Sequence, residues 1–427
     1  MDSILDSGKI TRTQYAIIAV CFLMNVLDGV DVLVISYCAS AIAKDWALSP
    51  ETLGLIFSAG LVGMTVGSLL LAPLADKIGR KNMILISAVI MGGSMYASAY
   101  TTTAYQLMFM RLVSGIGIGS MLASTAALVA EYTPVKSKNF WISLVLAGYP
   151  VGAVMAGFVT AKVLPVGGWE RMFQLSGLAS FITLPFIWFF LEESIEFYLK
   201  KQPPSALQKA NVLMTKVGEP TMEVLPSKVV RTSAPVWDIL RAPYLLPTLQ
   251  IWISLFLVFG SLYFLVSWIP KLSEIAGLSP ELAIYAGTLF NVGAFFGIAT
   301  QGYFSTHFGL KKTIGIFLVL TGLLMGSFRF FIGSDWLLPL FILLGFGIQG
   351  GFVGMYALAA RLYPTEVRTT GVGWSIGIGR LGGIAGPYIG GILVGMGFTI
   401  SNSFLVFAIP TLISGVLIYM LATDKVK

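Results

Sequence analysis

Long apolar runs separated by short polar breaks follow one another along the whole chain. Each run is continuous over about 20 residues, the length that crosses a bilayer as an α-helix. A membrane barrel would instead show segments of about ten residues that alternate apolar and polar positions. The pattern therefore predicts an all-α membrane protein with twelve transmembrane helices. The predicted spans are 14–40, 52–72, 83–100, 104–130, 140–163, 172–191, 247–269, 281–303, 313–332, 336–360, 371–395 and 399–423.

The longest polar interruption separates the first six spans from the last six. It predicts an N-terminal six-helix bundle over 1–191, a cytoplasmic central loop over 192–246 and a C-terminal six-helix bundle over 247–427.

The two halves match each other at one constant offset along the chain, the offset that places Gly63 on Gly293. The matched pairs are Gly63 with Gly293, Gly67 with Gly297, Gly79 with Gly309, Lys81 with Lys311, Gly115 with Gly345, Gly117 with Gly347, Pro134 with Pro364 and Lys138 with Arg368. This internal duplication predicts two pseudo-symmetric bundles with a substrate site between them near the midplane. Residues present in both halves are expected to build the fold, whereas residues found in one half are candidates for function.

Composition and charge agree with a membrane protein and set its orientation. Of the 427 residues, 56% are hydrophobic and 11% are charged, against about 25% charged in soluble domains. With both termini in the cytoplasm, inside segments hold 20 of the 27 Lys and Arg residues, including Lys136, and outside loops hold four. This bias predicts cytoplasmic termini, with the polar start of the chain as a cytoplasmic tail. It also accounts for most of the net charge of +7 without a nucleic-acid partner.

Two acids interrupt the first span in the stretch NVLDGVDVLVIS. Asp28 and Asp31 are three residues apart, so they share one helix face. Their counterparts in the second half are Val258 and Ser261, which indicates that the fold does not need the charges. Because two close acids in a low dielectric cannot both ionise cheaply, they are the predicted proton-coupling residues.

Two arginines lie inside other spans. Arg380 is about ten residues into the eleventh, and a central arginine costs roughly 2.5–3.5 kcal/mol unless it faces the interior and has a partner. That partner is an aspartate of the first span or the carboxylate of a substrate, and a purely structural ion pair is the third possibility. Arg111, in the fourth span, has Phe341 as its counterpart and is equally unmatched.

The stretch APLADKIGRK, Ala72 to Lys81, joins the second and third spans. Its tight turn requires Gly79, and its cations hold it at the inner membrane surface. Asp76 is expected to cap a neighbouring helix N-terminus and so latch an inner gate; a plain turn that only sets topology is the alternative. Glu131 is expected to pair with nearby loop cations rather than to carry protons.

The stretch RLVSGIGIGS, Arg111 to Ser120, resembles a nucleotide-binding loop, but no strand precedes it and it lies within a span. Its glycines are expected to let helices pack closely. The chain has one histidine, no metal-ligand cluster and no nucleophile beside a base. The sequence therefore predicts neither an enzyme nor a cofactor or metal site.

The segments LADKIGRK and RLVSGIGIG are similar to signatures of the major facilitator superfamily, and the resemblance covers essentially the whole chain. More narrowly, LDGVD resembles the first-helix motif of the aromatic acid:proton symporters. YPTEVRTTGVGWSIGIGRLGG and LEESIEFYLKK are similar to two further segments of that family. The chain departs from the pattern at Ala72, usually glycine, and at Glu192, usually proline.

The resemblance implies a symporter that imports a benzoate-like carboxylate with protons across the bacterial inner membrane by alternating access. The alternative is a proton symporter of the same superfamily for a muconate-like diacid, a sugar acid or a hexose. The expected partners are a small organic anion, the proton and the lipid bilayer, and the protein is expected to be a monomer. The expected substrate-binding residues are Arg380, Arg111, Asn25, Gln349, Tyr356 and Trp374. The expected gating residues are Asp76, Gly79, Arg80, Glu131 and Arg368.

Overall fold

The computed structural model describes residues 10–134, 137–226, 235–364 and 366–421. Lys136 and the first nine residues of the predicted tail lie outside these ranges. Within them the chain forms fifteen α-helices and no strand. The bounds are α1 Arg12–Asp45, α2 Pro50–Val66, α3 Ala75–Ile78, α4 Arg80–Ser98, α5 Ala104–Tyr132, α6 Lys138–Leu146, α7 Gly148–Phe190, α8 Ile195–Lys201, α9 Ala206–Val217, α10 Leu245–Ile275, α11 Pro280–Phe308, α12 Leu310–Gly326, α13 Leu337–Leu362, α14 Arg368–Gly395 and α15 Ile400–Tyr419.

Nine helical stretches in the described part of the chain are long and apolar enough to cross a membrane. One of them, Phe140–Phe190, has 51 residues and covers both the fifth and the sixth predicted spans. Its backbone leaves the helical conformation at Gly168, with φ 72° and ψ 177°, values open to a residue without a Cβ. The helices α4 and α12, which correspond to the third and ninth predicted spans, are not among the nine.

The central segment 192–246, predicted to be a loop, contains the two short helices α8 and α9. The side chain of Ser194 accepts a hydrogen bond from the Phe197 N–H at 3.0 Å and so caps α8. In α9, Ala206, Ala210 and Val217 are among the buried residues, at helical spacing on one face. These helices are short and polar, so a search for 20-residue apolar runs passes over them; the cytoplasmic central loop over 192–246 stays a prediction.

The duplication recurs as a repeated helix crossing. A Cβ built on Gly63 of α2 would lie 2.1 Å from the Leu112 carbonyl oxygen of α5. A Cβ on Gly293 of α11 would lie 1.9 Å from the Ile342 carbonyl oxygen of α13. The two glycines are counterparts in the repeat, and so are the two residues that they face. Only glycine permits so close an approach of two helix backbones.

A second crossing repeats at the same offset. A Cβ on Gly152 of α7 would lie 1.8 Å from the Val26 carbonyl oxygen of α1, and one on Gly382 of α14 would lie 1.9 Å from the Phe256 carbonyl oxygen of α10. The close helix packing expected from the glycines is therefore confirmed, and the same pairs of backbones meet in each half.

The helices cluster into two compact units. The first comprises Met1–Asp31, Val62–Gly152 and Glu170–Arg231, and the second comprises Val32–Leu61, Ala153–Trp169 and Thr232–Lys427. Helices α1, α2 and α7 each contribute to both. The units cut across the predicted domain limits at 191 and 247, which stay a prediction.

Within the second unit, parts of α1 and α2 pack directly on α10 and α14. The Ser36 hydroxyl lies 2.9 Å and 2.8 Å from the carbonyl oxygens of Val266 and Ser267. The Ser58 hydroxyl donates to the Ile384 carbonyl oxygen at 2.7 Å. A Cβ on Gly54 would lie 2.8 Å from the Pro387 carbonyl oxygen. The backbones of these helix segments therefore pack closely against one another.

Candidate functional site

An ion pair joins α1 to α5 inside the first unit. The Arg111 Nη1 donates to Asp31 Oδ1 at 2.7 Å, and its Nη2 donates to the Asp31 carbonyl oxygen at 3.2 Å. Both residues are 3% exposed. A charge this deeply buried is retained only when it is paired and hydrogen-bonded, and these contacts meet that requirement for both residues.

Two further side chains complete this site. The Ser114 hydroxyl, one helical turn after Arg111, donates to Asp31 Oδ2. The Met95 sulfur of α4 lies 2.8 Å from Arg111 Nη1. Neither residue was predicted from the sequence, although Ser114 differs from its counterpart in the repeat, the apolar Leu344.

Asp28 lies one turn before Asp31 on α1 and is 2% exposed. The equivalent positions in the second half are apolar core: Val258 and Phe341 are fully buried. Ser261 donates a single hydrogen bond to the Phe407 carbonyl oxygen at 3.2 Å. The same helix crossing therefore packs without any charge in the other half of the molecule.

Arg380 belongs to the second unit. It is half-buried on α14 and interacts electrostatically with Tyr356 of α13. The sequence left open whether an aspartate of the first helix would meet Arg380. The structure pairs Asp31 with Arg111, and the charge of Arg380 acts on Tyr356, a predicted substrate-binding residue.

The remaining predicted substrate-binding residues lie in different surroundings. Asn25 is 1% exposed and donates to the Cys21 carbonyl oxygen at 3.0 Å. Gln349 is buried on α13. Trp374 is 47% exposed and stacks on Trp252 of α10 with ring centroids 6.0 Å apart. The structure therefore gives Trp374 a ring partner on α10, while Tyr356 lies near Arg380.

A cluster of charged residues surrounds the start of α4. Arg80 and Glu131 form an ion pair, so the expectation that Glu131 pairs with a loop cation is confirmed. Ser194 donates to the other oxygen of Glu131. The Oε1 atom of Glu193 accepts the backbone N–H groups of Arg80 at 2.6 Å and Lys81 at 3.2 Å. The Glu193 carboxylate thus faces the positive end of the α4 dipole.

Glu193 caps the N-terminus of α4. Asp76 lies exposed on α3 and acts on Arg80 through its charge. Burial raises the pKa of Glu193, and the N–H groups that it accepts, together with the Arg80 charge, act against this rise. The latch role of Asp76 stays a prediction.

The glycine turns appear as expected. Gly79 has φ 99° and Gly309 has φ 87°, a region that side chains with a Cβ rarely adopt. Arg368 is the first residue of α14, and its Nε donates to the carbonyl oxygen of Tyr363, which precedes the helix, at 3.2 Å. The gating role of Arg368 stays a prediction.

Comparison with known proteins decides the family. The sequence model of the Major Facilitator Superfamily matches residues 21–301 and 251–427. The chain belongs to the major facilitator superfamily. It is therefore a multi-pass membrane transporter rather than an enzyme.

Several curated relatives are named for the transport of aromatic acids. The 4-hydroxybenzoate transporter PcaK of Pseudomonas putida is 30% identical over 423 residues, which cover 97% of this chain and 94% of the relative. The gallate transporter of Pseudomonas putida is 31% identical, covering 95% and 91%. The benzoate transport protein of Acinetobacter baylyi is 28% identical, covering 99% and 92%.

Among solved structures, a D-xylose-proton symporter superimposes with a TM-score of 0.73 at 17% identity. The match covers 95% of this chain and 97% of that protein. At this identity the similarity establishes the fold of the chain and leaves its substrate open.

Proposed function

We propose that this protein imports a small aromatic carboxylate together with one proton by alternating access, as a monomer in the bacterial inner membrane. The names of the relatives support the substrate class, because the 4-hydroxybenzoate, gallate and benzoate transporters carry ring carboxylates. The observation that carries the proposal is the buried ion pair of Asp31 and Arg111, which has no equivalent in the second half.

In the proposed topology the chain crosses the membrane twelve times. The stretch Phe140–Phe190 accounts for two crossings, with the reversal at Gly168, and α4 and α12 supply the two crossings not counted among the nine long apolar stretches. The excess of Lys and Arg in alternate connections supports two cytoplasmic termini.

The proton is assigned to the two acids of α1. Asp28 and Asp31 lie on one face of the helix, and two close carboxyl groups in a low dielectric cannot both ionise cheaply. Asp31 is engaged with Arg111 and Ser114, so we assign the exchangeable proton to Asp28.

The substrate carboxylate is assigned to Arg380. A guanidinium binds a carboxylate through two parallel hydrogen bonds, and the Tyr356 hydroxyl beside it can donate a third. Arg111, which the sequence also suggested as a carboxylate ligand, is engaged with Asp31 in this structure. Asn25, Gln349 and Trp374 stay candidates for the remaining surface of the site.

The proposed transport cycle uses contacts at both ends of the helices. The packing of α1 and α2 segments on α10 and α14 forms the closed outer gate, which must separate to admit substrate. Asp76, Gly79, Arg80, Glu131 and Arg368 belong to the proposed inner gate. A symported anion and proton together carry no net charge, so the membrane potential does not oppose the import step.

The experiment is uptake of radiolabelled 4-hydroxybenzoate by the purified protein in liposomes with an imposed proton gradient. Asp28→Asn and Asp31→Asn should each abolish gradient-driven uptake. Asp45→Asn is the matched control, because this acid lies at the exposed end of the same helix and should leave uptake unchanged. Arg380→Lys should weaken binding, since lysine cannot form the two parallel bonds, whereas Arg329→Lys at an exposed position should not.

Gradient-driven uptake that survives both aspartate substitutions would remove the coupling role from α1. Normal affinity in Arg380→Ala would refute the carboxylate ligand. Competition by benzoates, muconate-like diacids and hexoses separates the proposed substrate class from its alternatives.

A further inference from the structure

A chain of four aromatic rings runs from α10 to α13. The rings of Phe259 and Tyr263, one turn apart on α10, stack with centroids 6.1 Å apart. Phe259 meets Phe352 of α13 edge to face at 4.7 Å, and Phe352 meets Tyr356 edge to face at 5.2 Å. Tyr356 is the residue that interacts with Arg380. These four rings, here called the ring wall, therefore end at the proposed carboxylate ligand.

Two glycines of α14 bring the ring wall close to Arg380. A Cβ on Gly379 would lie 2.6 Å from ring atoms of Phe259, and one on Gly383 would lie 3.0 Å from the ring of Tyr263. These glycines precede and follow Arg380 on the helix. A larger residue at Gly379 would push the rings away from the arginine, so the helix backbone itself sets the position of the wall.

The space next to Arg380 on α14 is open. A Cβ on Gly377, nearly one turn before Arg380, would meet no atom within 4 Å. The same helix face is in contact further along, where the Ile384 carbonyl oxygen accepts the Ser58 hydroxyl at 2.7 Å. Phe259 is buried, whereas Tyr263, Phe352 and Tyr356 are half-buried. Three of the four rings therefore retain exposed surface, and the helix that carries Arg380 has open space at Gly377.

The rings of the ring wall occur in only one half of the duplicated chain. In the alignment of the two halves the counterparts of Phe259, Tyr263, Phe352, Tyr356 and Arg380 are, in order, Gly29, Leu33, Leu122, Ala126 and Pro150. The first half builds the same helix crossings with none of these rings. Like the acids of α1, the rings belong to one half alone, which is what a role beyond folding requires.

We propose that the ring wall selects the substrate by its aromatic ring while Arg380 holds its carboxylate; this inference rests on the proposed function. Phe352 is the specificity-determining residue, because it is half-buried and lies between the buried Phe259 and the Tyr356 that adjoins Arg380. A planar ring can stack on or meet these rings edge to face, which an aliphatic ring of the same size cannot do.

The test compares binding of benzoate and cyclohexanecarboxylate to the purified protein, since both carry one carboxylate on a six-membered ring. Phe352→Leu should weaken benzoate binding about 2- to 12-fold, the range expected for one lost aromatic contact. It should change cyclohexanecarboxylate binding by less than about twofold, because leucine keeps the apolar surface. Phe352→Tyr should retain the preference for benzoate.

The matched control is Phe346→Leu, the same substitution on the same helix at a ring that packs on Phe317 instead. It should alter neither affinity. Equal affinity of the wild type for the two acids, or equal weakening of both by Phe352→Leu, overturns the ring wall and leaves the carboxylate site standing. A wild type that binds neither of these acids nor 4-hydroxybenzoate overturns the proposed function, and this inference with it.

Discussion

The ion pair of Asp31 and Arg111 can be replaced by the two residues that stand at the equivalent positions in the second half of the chain. In the second half the equivalent positions hold Ser261 and Phe341, packed at the same helix crossing without charge. The double variant Asp31→Ser with Arg111→Phe therefore copies an arrangement that this fold already contains. We expect it to fold with nearly wild-type stability while losing proton coupling.

The expected magnitudes follow from burial. Both residues are 3% exposed and their charged atoms are 2.7 Å apart. Removing one partner leaves an uncompensated buried charge and costs about 3–5 kcal/mol, whereas replacing a buried pair by well-packed neutral residues is often neutral or stabilising. Each single variant should thus lose about 3–5 kcal/mol. The double variant should stay within about 1 kcal/mol of the wild type, since Asp28 can take up a proton once Arg111 is absent.

The assay is unfolding by denaturant in mixed micelles, followed by tryptophan fluorescence, for the wild type and the three variants as a double-mutant cycle. Uptake in liposomes is measured in parallel and should be absent in the double variant. A double variant that loses as much stability as the two single variants together would refute the reasoning, because it would show that the charges do not depend on each other.

Two further predictions concern the packing of the helices and the cap of α4. Gly63→Ala and Gly293→Ala should each lower the free energy of unfolding by about 1–3 kcal/mol, because the added Cβ overlaps a facing carbonyl. Gly302→Ala, whose Cβ would meet nothing within 4 Å, should be neutral or stabilising. Thermal unfolding midpoints in detergent measure the difference, and equal midpoints for Gly293→Ala and Gly302→Ala would contradict the close helix crossing. Glu193→Ala should destabilise the protein more than Glu193→Gln, which keeps an acceptor for the N–H groups of α4. Burial raises the pKa of Glu193 above its ordinary value of 4.5. The wild type should therefore gain stability relative to Glu193→Gln as the pH falls from neutral through the raised pKa, because the folded state binds the proton more readily. Unfolding midpoints measured from pH 7 to 4.5 that show the opposite trend would contradict this prediction.

Several features of the molecule could be read from residue types alone. Apolar runs long enough to cross a membrane predict helices because a bilayer leaves the backbone no other way to satisfy its hydrogen bonds. The alignment of the two halves identified Gly63 and Gly293 as equivalent, and the structure gives them the same contact. The same comparison set apart Asp28, Asp31 and Arg111 as residues that the fold does not need.

Other features could not be predicted in this way. The sequence suggested Arg111 as a ligand of the substrate carboxylate and did not predict its pairing with Asp31. It did not predict that Glu193 caps α4, and it did not predict the short helices α8 and α9. The contact of Phe259 with Phe352 gave no sequence signal, because neither ring interrupts an apolar run.

The sequence by itself determined the apolar helices, the duplication and the charges found in one half alone, because helix formation in a membrane and the cost of a buried charge depend on local composition. Only the tertiary structure decided which residues meet. Asp31 and Arg111 are 80 residues apart in the chain, and their pairing depends on the rotation and depth of α1 against α5. Each of these helices packs on a glycine of another helix, α5 on Gly63 of α2 and α1 on Gly152 of α7, and such neighbours are fixed only when the helices pack.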